Sequence, residues 1–269
     1  MKYIINPTKT CAKKDLFLLA FVLSAPENVD RRSAIRQTWA NPLNFADVSV
    51  RVVFLLGVPA TQMLQAVLDG EARRHGDIIQ EDLVDSYRNL TRKVIGGLEW
   101  ATTYCAHARF FAKVDDDIAV NVFKLMERLK TKTSENLLVC SYRYEAKIAH
   151  RGKKVSKWVV TREEYTNDKY PVYCSGWAYV MTPDVAIKLL HASRSIRYFW
   201  LEDVYVTGIL AGAVGIRHDE FFDSRYDIKF FLNRNIKMSK WRKMIFGRSA
   251  IAADQIKIWK YVVAEQNRI

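Results

Sequence analysis

Three successive acidic residues are the most chemically suggestive feature of the sequence. Asp115, Asp116 and Asp117 follow an apolar run that begins at Phe110, and such a run predicts a buried strand. Because desolvating a carboxylate is costly, acids at a strand end need partners, and a hard divalent cation such as Mn²⁺ or Mg²⁺ suits them. Alternate side chains of an extended chain share a face, so Asp115 and Asp117 could hold a metal on a nucleotide diphosphate while Asp116 points away. A solvated acidic turn is the alternative.

A second acidic pair, Glu202 and Asp203, begins a predicted helix directly after an aromatic run at 198–200. Acids at a helix N-terminus are favoured by the helix dipole, so simple capping explains the pair. An aromatic wall beside a carboxylate would instead suit a sugar, with the carboxylate as general base on a hydroxyl. His218 follows this helix and is either a surface histidine or the ligand that completes a metal site begun by distant carboxylates.

The glycines form no phosphate-binding loop, because neither GxxxxGK[ST] nor GxGxxG occurs. A nucleotide would therefore be held through metal, Arg and Lys. Arg32 and Arg36 on the first predicted helix, and Lys93 on a later one, are candidates for phosphate or base contacts, or else surface cations. Gly176 follows small residues and either lets a backbone approach a ligand or forms a tight turn.

Strands and helices alternate along the first half of the chain. Apolar runs predict strands near residues 16–23, 51–57, 77–79, 110–114, 137–141 and 177–181, and helical spacing predicts helices over 31–39, 61–75, 89–104, 122–129, 183–191 and from 201 onward. This alternation predicts an open α/β sheet with its ligand at the carboxyl ends of the strands. Asp115 to Asp117 lie at one such end.

Composition limits the classes of protein that the chain can belong to. With 269 residues, of which 49% are apolar, it can bury a sizeable core. The net charge is +13, and the stretch 229–269 carries ten Lys or Arg against two acids. That stretch is either a solvated basic face or a surface for phosphates, nucleic acid or an anionic membrane. The longest apolar run, near 16–25, is far short of the roughly 20 residues of a spanning helix, so any membrane anchor would lie outside this chain.

The four cysteines show no CxxC spacing, which makes a zinc site improbable. They would form two disulfides in an oxidising compartment or remain four buried thiols in the cytosol. The residues concerned are Cys11, Cys105, Cys140 and Cys174.

Taken together, the motifs resemble those of the β1,3-glycosyltransferases, glycosyltransferase family 31, which includes β1,3-galactosyltransferases, β1,3-N-acetylglucosaminyltransferases and, more remotely, the fringe enzymes. Six motifs carry the resemblance in chain order: Arg32-Ser-Ala-Ile-Arg36-Gln-Thr-Trp39, Phe54-Leu-Leu-Gly57, Glu81 to Lys93, Lys113-Val-Asp-Asp-Asp117, Tyr170-Pro-Val-Tyr-Cys-Ser-Gly176 and Glu202-Asp-Val-Tyr205. Their common order is far more specific than any one of them.

The resemblance implies a GT-A fold, which is an α/β fold with a Rossmann-like open central sheet flanked by helices. It implies an inverting enzyme that transfers a hexose, most simply galactose or N-acetylglucosamine, from a UDP-sugar to a glycan acceptor of a glycoprotein or glycolipid in a β1,3 linkage. Mn²⁺, or Mg²⁺, would be the cofactor. The catalytic domain would lie in the Golgi lumen and be held at the membrane by an anchor that this chain lacks, with no role for nucleic acid. A catalytically inactive relative that binds glycans is the alternative.

By position, the resemblance makes Asp203 the catalytic base with Glu202 beside it. Asp115 and Asp117 become metal ligands, and Asp117 is the stronger candidate. Asp85, Lys93, Asp116 and Gly176 belong to the motifs on the donor side. Residues 1–15 are expected to be a stem remnant or leader, 16–228 the catalytic domain, and 229–269 a basic, mainly helical extension packed on the same domain.

One departure from the family pattern falls next to the expected base. The segment Val204-Tyr-Val-Thr-Gly208 is one residue longer before its glycine than the common form. One extra residue in an α-helix rotates everything after it by about 100°. The insertion is therefore expected to alter the acceptor surface that follows, and not the base itself.

Overall fold

The structure is a computed structural model that describes residues 2–12, 15–45, 49–146, 148, 157–221, 244–249 and 251–266. Its strands are β1 Tyr3–Ile5, β2 Leu16–Leu23, β3 Ser49–Val58, β4 Ile78–Val84, β5 Phe110–Asp115, β6 Ile118–Val120, β7 Leu138–Arg143, β8 Tyr173–Met181, β9 His218–Glu220 and β10 Phe246–Arg248. Its α-helices are α1 Val29–Gln37, α2 Gln62–His75, α3 Leu90–Tyr104, α4 Val122–Lys130, α5 Pro183–Ser193, α6 Ala211–Ala213 and α7 Ala252–Gln266. A π-helical segment, Val204–Leu210, leads directly into α6.

Eight strands form one mixed sheet in the order β1-β4-β3-β2-β5-β8-β7-β9. Strands β4, β3, β2 and β5 are parallel, whereas β8 runs antiparallel to both β5 and β7. The carboxyl ends of β2, β3 and β5 therefore meet at one edge. A separate pair, β6 with β10, lies just beyond the end of β5. The α/β class with an open central sheet, which the sequence predicts, is confirmed.

The central strands are apolar on both faces because helices cover both faces. One core lies between the sheet and helices α3 and α5, and it includes the fully buried Trp100 and Tyr179. The other core lies beneath α1, α2 and α4 and includes Phe54 and Phe110. This two-sided burial explains why β2 has no alternation of apolar and polar residues.

Residues 1–15, which the sequence analysis expects to be a stem remnant or leader, contribute a strand to the sheet. Strand β1 pairs with the edge strand β4, with Tyr3 opposite Glu81. Cys11 then forms a disulfide with Cys105 at the end of α3. A run of three residues is too short to give a strand signal by itself, so its pairing follows from the neighbouring edge.

The second disulfide joins Cys140 on β7 to Cys174 on β8. The described cysteines are therefore all oxidised, which decides between the two alternatives that the sequence left open. In the carboxyl-terminal stretch, β10 pairs with β6 and α7 packs against α1. Residues 229–243 and the expected boundary at residue 228 lie outside the described residues. No helix among the described residues is long and apolar enough to cross a membrane.

Candidate active site

The acidic turn lies at the carboxyl end of β5, where the sequence places it. Asp115 is the last residue of β5, and Asp116 and Asp117 form the turn into β6. Asp116 points towards α1, where its carboxylate accepts hydrogen bonds from Ser24 and Asn28 at 2.8 Å each and pairs with Arg31 at 2.8 Å. Asp115 and Asp117 remain partly exposed. The predicted division of the three acids is therefore observed, although Asp116 is held by protein groups.

Lys113 connects the two acidic clusters, and the sequence analysis did not single it out as a site residue. Its ammonium lies 2.7 Å from Asp115 Oδ1 and 3.3 Å from Glu202 Oε2, and it donates to the Gly176 carbonyl. Burial alone would lower the pKa of Lys113, but the carboxylates of Asp115 and Glu202 outweigh burial and raise it. A lysine in the middle of an apolar strand, two residues before an acid on the same face, is the signal that could have identified it.

Glu202 is almost fully buried and serves as a partner for Lys113. Its other oxygen accepts a hydrogen bond from the Tyr179 hydroxyl at 2.6 Å. Burial raises the pKa of Glu202 above its ordinary value, and Lys113 opposes that rise. Although Glu202 borders the cavity, both of its oxygens are occupied, so this geometry gives it a supporting position.

Asp203 lines the same cavity as Asp115 and Glu202. One oxygen accepts from the Val204 backbone N–H at 2.9 Å, as in a helix cap. The other lies against Gly176, where an added Cβ would be 3.0 Å from Asp203 Oδ2. Burial raises the pKa of Asp203, and the hydrogen bond from Val204 partly offsets this rise. Glycine at 176 is therefore needed for close approach of the carboxylate.

The cavity has a volume of about 480 Å³ and brings Asp115, Lys113, Gly176 and Asp203 together. Its walls are largely aromatic, with lining side chains Tyr87, Trp158, Tyr170, Tyr173, Trp177 and Trp200. Of the predicted aromatic run, Trp200 alone is in this lining. Phe199 packs behind it against Tyr170, and Tyr198 points outward, with its hydroxyl donating to the Arg88 carbonyl.

Two further cations at the cavity, Arg143 and Lys157, were missed by the sequence analysis. Arg143 donates from Nε to the Ser175 hydroxyl at 3.1 Å. Lys157 lies over the ring of Tyr87 at 4.7 Å. Arg143 is the last residue of β7, and Lys157 lies in the polar stretch between β7 and β8, where no periodic pattern identifies a function.

Arg32 and Arg36 do not line the cavity, which corrects the expectation that they contact phosphate or base directly. Arg32 is 0% exposed and donates two hydrogen bonds, of 2.9 and 2.7 Å, to the Glu71 carboxylate. Arg36 binds Glu71 and also Asp77. Burial alone would raise the pKa of Glu71, but its hydrogen bonds from the two arginines outweigh burial and lower it. The cluster joins α1 to α2 and supports Ser24, to which Arg32 also donates.

Asp85 and Lys93 form a buried pair at the same sheet edge. The Lys93 ammonium lies 2.8 Å from Asp85 Oδ2 and 2.8 Å from the Ser24 carbonyl, and the Gly57 N–H donates to the same Asp85 carboxylate. Three strand ends are thereby fixed beside the acidic turn. A contact of either residue with a nucleotide stays a prediction, and the structure places both next to the edge where it would bind.

His218 lies away from the acidic turn, so the geometry does not support its predicted role as a metal ligand. On β9 it pairs with Leu138 of β7, and β8 separates β7 from β5. Its Nε2 is bonded to the Thr207 carbonyl at 2.6 Å. Thr207 belongs to the π-helical segment, so this hydrogen bond joins β9 to that segment. The histidine therefore fixes this segment.

The π-helix also changes the expected effect of the extra residue after Asp203. Its hydrogen bonds run from residue i to i+5 instead of i+4, so a wide turn takes up one more residue than an α-turn. The expected rotation of about 100° applies to a regular α-helix only. Here the insertion is accommodated locally, and α6 follows at Ala211.

The acidic turn fits a divalent cation that shares its coordination with substrate. Asp115 and Asp117 supply hard carboxylate oxygens. Burial raises the pKa of Asp115, Lys113 opposes this rise, and the nearby charge of Asp117 adds to it. No group of three or more His, Cys, Asp or Glu side chains that could hold a metal occurs in the described part of the chain. Mg²⁺ commonly binds through one or two carboxylates and completes its shell with phosphate oxygens and water. The two acids suit that mode.

These features define an α/β protein with an aromatic ligand cavity beside an acidic turn at the carboxyl edge of its parallel strands. The sequence model of the family described as Galactosyltransferase matches residues 30–221. The chain belongs to this galactosyltransferase family.

Curated relatives agree with this assignment. The chain is 39% identical to the human lactosylceramide 1,3-N-acetyl-beta-D-glucosaminyltransferase over 228 residues, which cover 80% of this chain and 59% of that protein. It is 32% identical to mouse beta-1,3-galactosyltransferase 2, covering 99% of this chain and 63% of that protein. It is 37% identical to gorilla beta-1,3-galactosyltransferase 5, covering 82% and 73%. The chain thus spans about three fifths of the length of the first two relatives.

Among solved structures, a galactosyltransferase in complex with donor and acceptor sugar analogues aligns with 91% of this chain and 95% of its own, at 11% identity and a TM-score of 0.44. A glycosyltransferase involved in glycosylation of the PBCV-1 major capsid aligns with 91% and 98%, at 8% identity and a TM-score of 0.45.

Proposed function

We propose that the protein is an inverting glycosyltransferase that transfers a hexose from a UDP-sugar to a sugar hydroxyl in a β1,3 linkage. One observation carries this proposal: Asp203 faces the aromatic cavity whose floor is linked through Lys113 to the acidic turn at Asp115. The curated relatives are named as β1,3-galactosyl- and β1,3-N-acetylglucosaminyltransferases, which supports the linkage. Galactose and N-acetylglucosamine are both retained as donor sugars.

In this proposal Asp203 accepts the proton of the acceptor hydroxyl as that oxygen attacks the anomeric carbon from the face opposite the nucleotide. Gly176 leaves the space that this carboxylate occupies, and Lys113 and the Val204 N–H fix its surroundings. Asp115 and Asp117 would hold Mn²⁺ or Mg²⁺, which would neutralise charge on the leaving diphosphate. Trp158, Trp200 and the neighbouring tyrosines provide faces for stacking of sugar rings.

The compartment belongs to the same proposal. Both disulfides require an oxidising environment to persist, and this supports a catalytic domain in the Golgi lumen acting on glycoprotein or glycolipid glycans. The membrane would be reached through a segment outside the described residues.

The test separates binding from chemistry. Asp203→Asn should still bind UDP with Mn²⁺ in calorimetry but lose transfer of sugar by a factor of about 10² or more, because one general base contributes on the order of 10²–10⁴. Asp219→Asn is the matched control, since Asp219 is exposed on β9 and its partner is the surface residue Lys132.

Retention of near-normal turnover by Asp203→Asn would remove Asp203 from the base role. Binding of UDP and glycans by the wild-type protein without transfer from any UDP-sugar tested would instead support a catalytically inactive relative.

A further inference from the structure

Strand β10 fastens the carboxyl-terminal stretch onto the acidic turn. Arg248 lies opposite Ile118 and Phe246 opposite Val120. The Ser249 N–H donates to the Asp117 carbonyl at 2.7 Å. Phe246 is fully buried, and its ring lies 5.4 Å from that of Trp177 on β8. The position of this strand relative to Asp117 is therefore fixed from both sides.

Arg248 projects from this strand to the carboxylate of Asp117. Its Nε lies 3.6 Å from Asp117 Oδ2, and the two side chains are 50% and 28% exposed. Within the residues that the structure describes, no partner occupies its two terminal nitrogens. A guanidinium presents its donors in a planar fork that matches two oxygens of a phosphate, so the outer side of Arg248 is available for an anion.

We infer that Arg248 binds the second phosphate of a nucleoside diphosphate held at Asp117. This inference rests on the proposed function, because it takes the acidic turn as the place where metal and diphosphate meet. Oxygens at adjacent corners of a Mg²⁺ octahedron are about 3 Å apart, given metal–oxygen distances near 2.1 Å. A phosphate oxygen on the same ion as Asp117 would therefore lie within reach of the Arg248 fork.

Electrostatics favours this role over that of a simple counter-ion. When a divalent cation binds to Asp117, the carboxylate can no longer neutralise both the ion and the guanidinium beside it. The two cations repel unless an anion lies between them. A diphosphate supplies this anion. Arg248 lies outside residues 30–221, the part that matches the family model, so its contact with Asp117 is contributed by the carboxyl-terminal stretch.

The experiment compares UDP with UMP, because the two nucleotides differ by the phosphate that Arg248 would bind. Calorimetric titrations at saturating Mn²⁺ would use the wild-type protein, Arg248→Gln, Arg248→Lys and, as control, Arg74→Gln. Arg74 is an exposed arginine in the last turn of α2, towards the opposite edge of the sheet. Arg248→Gln should weaken binding of UDP about tenfold, the effect of one partly exposed charge-assisted hydrogen bond, and change that of UMP less than twofold.

Arg248→Lys should recover part of the affinity for UDP, since it keeps the charge without the fork. Equal losses for UDP and UMP in Arg248→Gln, or no loss for either, would overturn the inference while leaving the proposed function intact. Failure of the wild-type protein to bind UDP with Mn²⁺ would instead refute the nucleotide site itself, and both proposals with it.

Discussion

Replacement of Lys113 by methionine tests whether one buried ammonium holds the two acidic clusters together. The substitution keeps a long side chain but leaves Glu202, only 6% exposed, with the Tyr179 hydroxyl as its partner. Removing one member of a buried ion pair costs about 3–5 kcal/mol, because the remaining charge stays desolvated. We expect the free energy of unfolding, measured by urea denaturation at pH 8, to fall by about this amount.

The loss should depend on pH in a defined direction. Without Lys113, the pKa of Glu202 in the folded protein rises further, because burial already raises it and its main opposing charge is gone. A carboxyl whose folded pKa lies above its unfolded value destabilises the folded state increasingly as pH rises between the two. The difference between variant and wild type should therefore be smaller at pH 5 than at pH 8.

Two further variants make this prediction refutable. Lys130→Met, at the exposed end of α4, removes the same charge without a buried partner and should change stability by less than about 0.5 kcal/mol. Adding Glu202→Gln to Lys113→Met should restore part of the loss, since no buried charge then remains at position 202. A loss below about 1 kcal/mol at pH 8, or an equal loss at both pH values, would show that Lys113 is not the essential partner of Glu202.

Three other substitutions have expected effects on turnover or stability. Gly176→Ala should reduce turnover about tenfold or more with little change in UDP affinity, because the added Cβ would displace Asp203. Gly212→Ala is the control for the turnover assay, since a Cβ added there meets nothing within 4 Å. Burial raises the pKa of Glu81 to about 9. The free energy of unfolding of the wild-type protein should therefore fall by up to about 1.4 kcal/mol per pH unit between pH 5 and 8. Urea unfolding of Glu81→Gln should lack this contribution of Glu81 to the pH dependence. Replacing Cys11 and Cys105 by serine opens a loop of 94 residues and should lower the unfolding free energy by about 2–5 kcal/mol, which a thermal melt would detect. Reduction of the wild-type protein should lower it further, because the Cys140–Cys174 disulfide is then lost as well.

The parts of the site that the sequence predicts are those set by local pattern. Asp115 lies at the end of β5 because an apolar strand precedes it, whereas Asp116 lies in the turn that follows and is oriented by Ser24, Asn28 and Arg31. Arg32 and Arg36 show the limit of this reasoning. Whether an arginine of α1 meets a ligand or a protein carboxylate depends on Glu71 and Asp77, which come from other parts of the chain.

The smallest strands show the same limit for the fold. The sequence predicts β2, β3 and β5 because each is a long apolar run buried on both faces. Strands β1 and β10 have three residues each, and they exist because β4 and β6 offer unpaired edges. Only the assembled sheet reveals such edges, so the contribution of Arg248 to the acidic turn has no local signal.

The π-helical segment gives the protein a place where chain length itself can vary. Gly208 in this segment packs under Tyr173, and an added Cβ there would lie 3.0 Å from the Tyr173 Cβ. Tyr173 is part of the cavity wall. Gaining or losing one residue between Asp203 and Gly208 would therefore shift Tyr173 in the cavity wall. The Asp203 carboxylate, at the start of the segment, would stay in place. A single codon insertion at this point would therefore reshape the cavity without moving Asp203, the proposed base.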